Sequence, residues 1–169
     1  PENLDGQSVV YAVTKSYYFD GAGSYAYGKQ LPSKVVNGAE LRLALPIGED
    51  PKEPTFPLQA CEVRIGFRAL PPAANVAVTL NGRLIFSGTP VTAARFVTRE
   101  ITAKPSRQPD LAEEYLHLPL PAAGLVAPGQ NEFRISVTGG IKPVEVTDLE
   151  VRYDYRNDLD AIWNRLPAP

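Results

Sequence analysis

Arg64, Arg68, Tyr115, His117 and Arg134 are the residues of this chain best suited to handling a polar ligand, and all five stand at outward-reading positions of alternating segments. Guanidinium groups take carboxylates or sulfates through two parallel hydrogen bonds, so the set could line a cleft for an acidic glycan. The same residues also suit a plain solvated sheet face whose charges discourage edge association. A second group, Tyr17, Tyr18, Tyr25 and Tyr27, flanks the turn-rich stretch Asp20-Gly21-Ala22-Gly23-Ser24. Flat rings suit the apolar faces of pyranoses, which makes Tyr17, Tyr25 and Tyr27 candidates for a sugar platform. Strand alternation would equally send two of the four tyrosines into the core.

Other chemistries find less support. His117 is the sole histidine, which removes His-cluster metal sites, and no Gly-x-Ser-x-Gly turn accompanies it. Glu113 and Glu114 are adjacent and would diverge in a strand, unlike the facing carboxylates of glycoside hydrolysis. Gly21-Ala22-Gly23 lacks the strand-to-helix setting of a dinucleotide loop. The expectation is a chain without catalytic activity of its own. Cys61 has no second cysteine to pair with and reads as a small buried hydrophobe.

The elements that position these residues are strands. Pro and Gly, 17 and 13 residues, are spread along the chain and punctuate it into short segments. Ser8 to Phe19 is rich in Val, Thr and Tyr, and Leu41, Leu43 and Leu45 alternate up to Pro46. Cys61, Val63, Ile65, Phe67 and Ala69 share one face, with Glu62, Arg64, Gly66 and Arg68 on the other. Val76, Val78 and Leu80 lead into Asn81-Gly82, a pair suited to a two-residue turn with positive φ at both positions. Further strands are predicted over Ala94 to Thr102, around Leu116, Leu118 and Leu120, across Phe133, Ile135 and Val137, and from Val144 to Tyr155. About eight strands result, and only Asp158 to Leu166 has helical spacing, with Leu159, Ile162 and Trp163 on one side. Trp163, the only tryptophan, is read as a packing residue. Two antiparallel sheets packed face to face bury such stripes, so residues 1–156 are expected to form a β-sandwich and 157–169 a helical segment and tail.

At 169 residues and 44% hydrophobic content the chain is long enough for one packed core. Its net charge of −2 supplies no field to attract nucleic acid, and no apolar run reaches membrane-spanning length. A chain starting at Pro1 without Met is expected to belong to a longer polypeptide or assembly. The lone cysteine leaves the compartment open between cytosol and export.

Three stretches carry a resemblance. Val76-Ala77-Val78-Thr79-Leu80-Asn81-Gly82-Arg83-Leu84, Tyr115-Leu116-His117-Leu118-Pro119-Leu120, and Leu125-Val126-Ala127-Pro128-Gly129-Gln130-Asn131-Glu132-Phe133-Arg134-Ile135-Ser136-Val137 together resemble the galactose-binding-like jelly-roll superfamily. The closing Asp148-Leu149-Glu150-Val151-Arg152-Tyr153 is similar to its last strand. The resemblance covers residues 8 to 156 and rests on turn motifs. It implies an antiparallel β-sandwich of jelly-roll type and a noncatalytic carbohydrate-binding module, secreted, periplasmic or at the cell surface. It also implies a possible structural calcium, for which Asp20, Glu40, Asp148 and Glu150 offer oxygen ligands without a fixed motif. The alternatives are a structural or protein-interaction domain of the same fold without a sugar site, and an accessory domain of a hydrolase or lyase that contributes one residue to a neighbour's active site.

Overall fold

The computed structural model describes residues 7–14, 24–26, 30–48, 58–93, 96–98, 114–120 and 126–155. Eleven strands are present among them: β1 (Gln7–Thr14), β2 (Ser24–Ala26), β3 (Ser33–Val35), β4 (Glu40–Ile47), β5 (Leu58–Arg68), β6 (Asn75–Leu80), β7 (Arg83–Gly88), β8 (Phe96–Thr98), β9 (Glu114–Pro119), β10 (Gly129–Thr138) and β11 (Val144–Tyr155). They form two sheets. The larger runs β2-β1-β11-β5-β9-β8, and β3 pairs β11 beyond the end of β1. The smaller runs β4-β10-β6-β7. All pairings are antiparallel except the short parallel match of β1 with β2.

Alternation builds the core as its period requires. Val63, Ile65 and Phe67 of β5, Leu116 and Leu118 of β9, and Leu149, Val151 and Tyr153 of β11 face Leu43 and Leu45 of β4, Val76, Val78 and Leu80 of β6, and Phe133, Ile135 and Val137 of β10. Phe96 of β8 touches both Phe67 and Phe86, with ring centroids 6.2 and 5.8 Å apart, and so ties the two sheets together along one side.

Four local features shape the strands, two of which, in β11 and at Ala69, depart from simple alternation. In β11 the inward residues change parity, from Val144 and Val146 to Leu149, Val151 and Tyr153, because a bulge between Val146 and Asp148 inserts Thr147. Strand β5 ends at Arg68, so Ala69 takes a φ of 60° and is exposed instead of continuing the apolar face. Strand β4 runs through Pro46 to Ile47, where a stop was expected. It is an edge strand, and its outward side asks no N–H of Pro46. Asn81 and Gly82, at φ of 51° and 82°, make the expected hairpin turn between β6 and β7. The predicted helix over Asp158 to Leu166, with Trp163, lies outside the described residues.

Candidate functional site

The outer face of the larger sheet gathers four of the sequence candidates. Register sets Glu150, Arg64 and His117 side by side across β11, β5 and β9. One step along, Asp148, Gly66 and Tyr115 are neighbours, and at the next outward position of β5 Arg68 stands beside Glu145. The bulge at Thr147 makes this possible, since it lets Glu145 and Asp148 point to the same side.

Among the described residues, each arginine on this face, and His117, has a carboxylate partner, while Lys34, opposite Glu145 in β3, stands without an ion pair. Arg64 pairs with Glu150, and Arg68 Nη1 lies 3.0 Å from Glu145 Oε1. His117 Nδ1 is 2.7 Å from Glu62 Oε1, and Arg152 Nε donates to Asp154 Oδ1 at 2.9 Å. The Arg64 guanidinium also sits 4.7 Å above the centroid of the Tyr115 ring, a cation–π contact. Gly66, having no side chain, leaves room for Tyr115 to extend toward β11, where its hydroxyl donates to Asp148 Oδ2 at 3.4 Å. The Thr147 hydroxyl donates to the same oxygen at 3.0 Å. Tyr115 is therefore mostly buried, under a guanidinium, rather than offered as a bare ring.

This arrangement corrects the expected cleft in two respects. Arg134 belongs to β10 of the smaller sheet, whose outer face points away from Arg64, Arg68 and His117. There it lies opposite Arg42, donates to Glu132 Oε1 at 2.6 Å and approaches Glu40 at 3.9 Å. Its guanidinium is held further into the charged range by Glu132. The arginines of the larger sheet, moreover, have their donors directed at resident carboxylates, which an acidic glycan would have to displace. The sequence reading placed Glu62 outward and took Glu150 as an oxygen ligand without pairing either with a basic residue, and Glu145 was not singled out, although the alternation of glutamate with arginine along β5 and β11 is the signal for such pairs.

Of the tyrosine group, Tyr17, Tyr18 and Tyr27 lie outside the described residues. The backbone of Tyr25 sits in β2 in register with Tyr11 of β1. Of the possible calcium ligands, Glu40 is on the smaller sheet, where it meets Arg42 and Arg134, while Asp148 and Glu150 are on the outer face of the larger one. These three cannot share an ion, and Asp20 lies outside the described residues. The described residues contain no group of three or more His, Cys, Asp or Glu placed to hold a metal. Cys61 faces the core, and burial, reinforced by Asp154 and Glu62, pushes its thiol up to about 12.

A second polar constellation has a different character. Asn131, 1% exposed, accepts from the Ala127 N–H at 2.8 Å and donates to the carbonyls of Ala127 and Gly129 at 2.8 and 3.1 Å. Asn81 Nδ2 donates to Asn131 Oδ1 at 2.9 Å, and Asn81 Oδ1 accepts from the Glu132 N–H at the same distance. The Gly129-Gln130-Asn131 motif is thus a clasp that satisfies its own turn and locks it to the Asn81-Gly82 hairpin.

No helix among the described residues is long and apolar enough to cross a membrane, which leaves β-barrel insertion unaddressed. Comparison with protein-family models and with curated proteins gives no match. Among solved structures, the chain is similar to part of dimeric latent PorU from Porphyromonas gingivalis, at a TM-score of 0.46 and 10% identity over 90% of its length, and it spans 13% of that chain.

Proposed function

We propose that the chain is a noncatalytic carbohydrate-binding module of the galactose-binding-like type, exported as part of a larger protein, and that it takes its ligand on the outer face of the larger sheet. The observation that carries this reading is the ordered set of Glu62, Arg64, Arg68, Tyr115, His117, Glu145 and Glu150 on three adjacent strands. Paired side chains are held in fixed positions, yet guanidiniums and carboxylates keep spare donors and acceptors for hydroxyl groups. Among the described residues, Glu62, Glu145, Asp148, Glu150 and Asp154 exceed Lys34, Arg64, Arg68 and Arg152 on this face by one, which favours an uncharged glycan over a uronate or sulfate.

A second reading draws on Tyr115. Because Arg64 covers its ring, this face presents no open aromatic platform there, as befits a structural or protein-interaction domain without a sugar site. A glycan array covering neutral and acidic ligands separates the two. Saturable binding to neutral glycans, weakened by Arg64→Ala and His117→Ala at an unchanged melting temperature, supports the module. Folded protein that binds nothing on the array would leave the interaction domain.

A further inference from the structure

The two edges of the smaller sheet are finished differently. At β4 the outward backbone of Ala44 is occupied, since Gln30 Nε2 donates to its carbonyl at 2.8 Å and its N–H donates to Gln30 Oε1 at 2.9 Å. Two residues on, Pro46 faces the same way and has no N–H to offer. Glu40 and Arg42 add charge at the other end of the strand. These are devices that stop a sheet from being extended.

At β7 the outward backbone groups have no partner among the described residues. The Asn81 N–H donates to the Glu132 carbonyl at 2.8 Å, so alternation turns Thr79 and Ala77 toward β10 and Leu80, Val78 and Val76 toward β7. Their partners Arg83, Phe86 and Gly88 face back, and the irregularity at Ile85 leaves Leu84 and Ser87 with N–H and C=O directed away from the sheet. No strand among the described residues pairs with that side. Leu84 is 64% exposed, and Arg83 is the only charge in the strand.

We propose that β7 docks a second copy of this chain, strand against antiparallel strand, about a two-fold axis between Ile85 and Phe86. Leu84 of each copy then meets the partner's Ser87, and each pair exchanges two backbone hydrogen bonds. The register is self-complementary, as an isologous contact demands. Each Arg83 falls opposite the partner's Gly88, so the two cations stand at opposite ends and no like charges meet. Because Gln30 and Pro46 close β4, growth stops at two copies, with the pair of four-stranded sheets made continuous.

Sedimentation equilibrium of the full chain from micromolar to millimolar concentration tests this. The average mass is expected to climb toward twice that of the monomer, while exchange of the Leu84 and Ser87 amides slows with concentration. Ser87→Pro removes an outward N–H that β6 does not use, and Leu84→Lys places a charge at the contact. Each is expected to raise the dissociation constant by at least about tenfold with the circular dichroism spectrum unchanged. A wild-type chain that stays monomeric throughout overturns the proposal. So does a dimer whose dissociation constant neither variant moves.

Discussion

Both the Asn131–Asn81 clasp and the outer face of the larger sheet are networks of polar side chains, but they differ in access to water. Asn131 is enclosed, so its own amide would be buried without partners but for these bonds, while the Ala127 and Gly129 groups it meets belong to exposed residues. On the sheet face, the side chains of Arg68 and Glu145 remain 26% and 23% exposed, and water can replace either partner. Similar hydrogen-bond lengths therefore carry unequal free energies. Desolvation sets the value of a polar contact more than its geometry does.

The largest expected effect is at the clasp. Asn131→Ala removes the side-chain bonds to the Ala127 N–H and to the Ala127 and Gly129 carbonyls, leaves a gap at a buried position, and should cost about 3 kcal/mol, read as a lower urea midpoint at constant slope. A loss below about 1 kcal/mol would put the clasp on the same footing as the exposed pairs. Asn81 divides the contribution further. Asn81→Gly keeps the positive φ and removes only the side-chain bonds, for about 1 kcal/mol. Asn81→Ala should cost about 1 kcal/mol more through the strained backbone. Equal losses for the two variants would show that φ is unimportant there.

Cys61 probes the ground beneath the charged face. Its thiol is raised to about 12, mainly by burial and then by Asp154 and Glu62, so folding favours the neutral form. The resulting stability is fully present below the unfolded thiol's value, about 9, and is lost as pH rises from there toward 12. The wild type should accordingly lose stability above about pH 9 more steeply than Cys61→Ala, and parallel curves would mean that water reaches the sulfur. The smallest effect belongs to Arg68 and Glu145. A double-mutant cycle on this pair should return a coupling below about 1 kcal/mol that shrinks further in about 1 M salt.

The fold was largely legible because burial imposes a period. Cys61 to Phe67, Phe133 to Val137 and Leu149 to Tyr153 each show the two-residue alternation of a strand with one wet face. The Asn81-Gly82 turn was legible because few residue pairs tolerate positive φ at both positions. Alternation failed at Ala69, where the chain turns, and at Thr147, where a bulge swaps the faces. In the site, Arg64, Arg68, Tyr115 and His117 were correctly assigned to outward positions, and so was Arg134. Outward on a strand, however, does not say on which sheet.

The sequence by itself therefore determined an all-β chain, the inward and outward sides of most strands, and the turn between β6 and β7, because these follow from local backbone preferences and from hiding apolar side chains from water. Only the tertiary structure decided that β5, β9 and β11 are neighbours, that every arginine of their face already has a carboxylate, and that Arg134 looks the other way. Those facts depend on strand order, which joins residues as far apart as Arg68 and Glu145. Strand order is a property of the whole packed chain, and no local pattern encodes it.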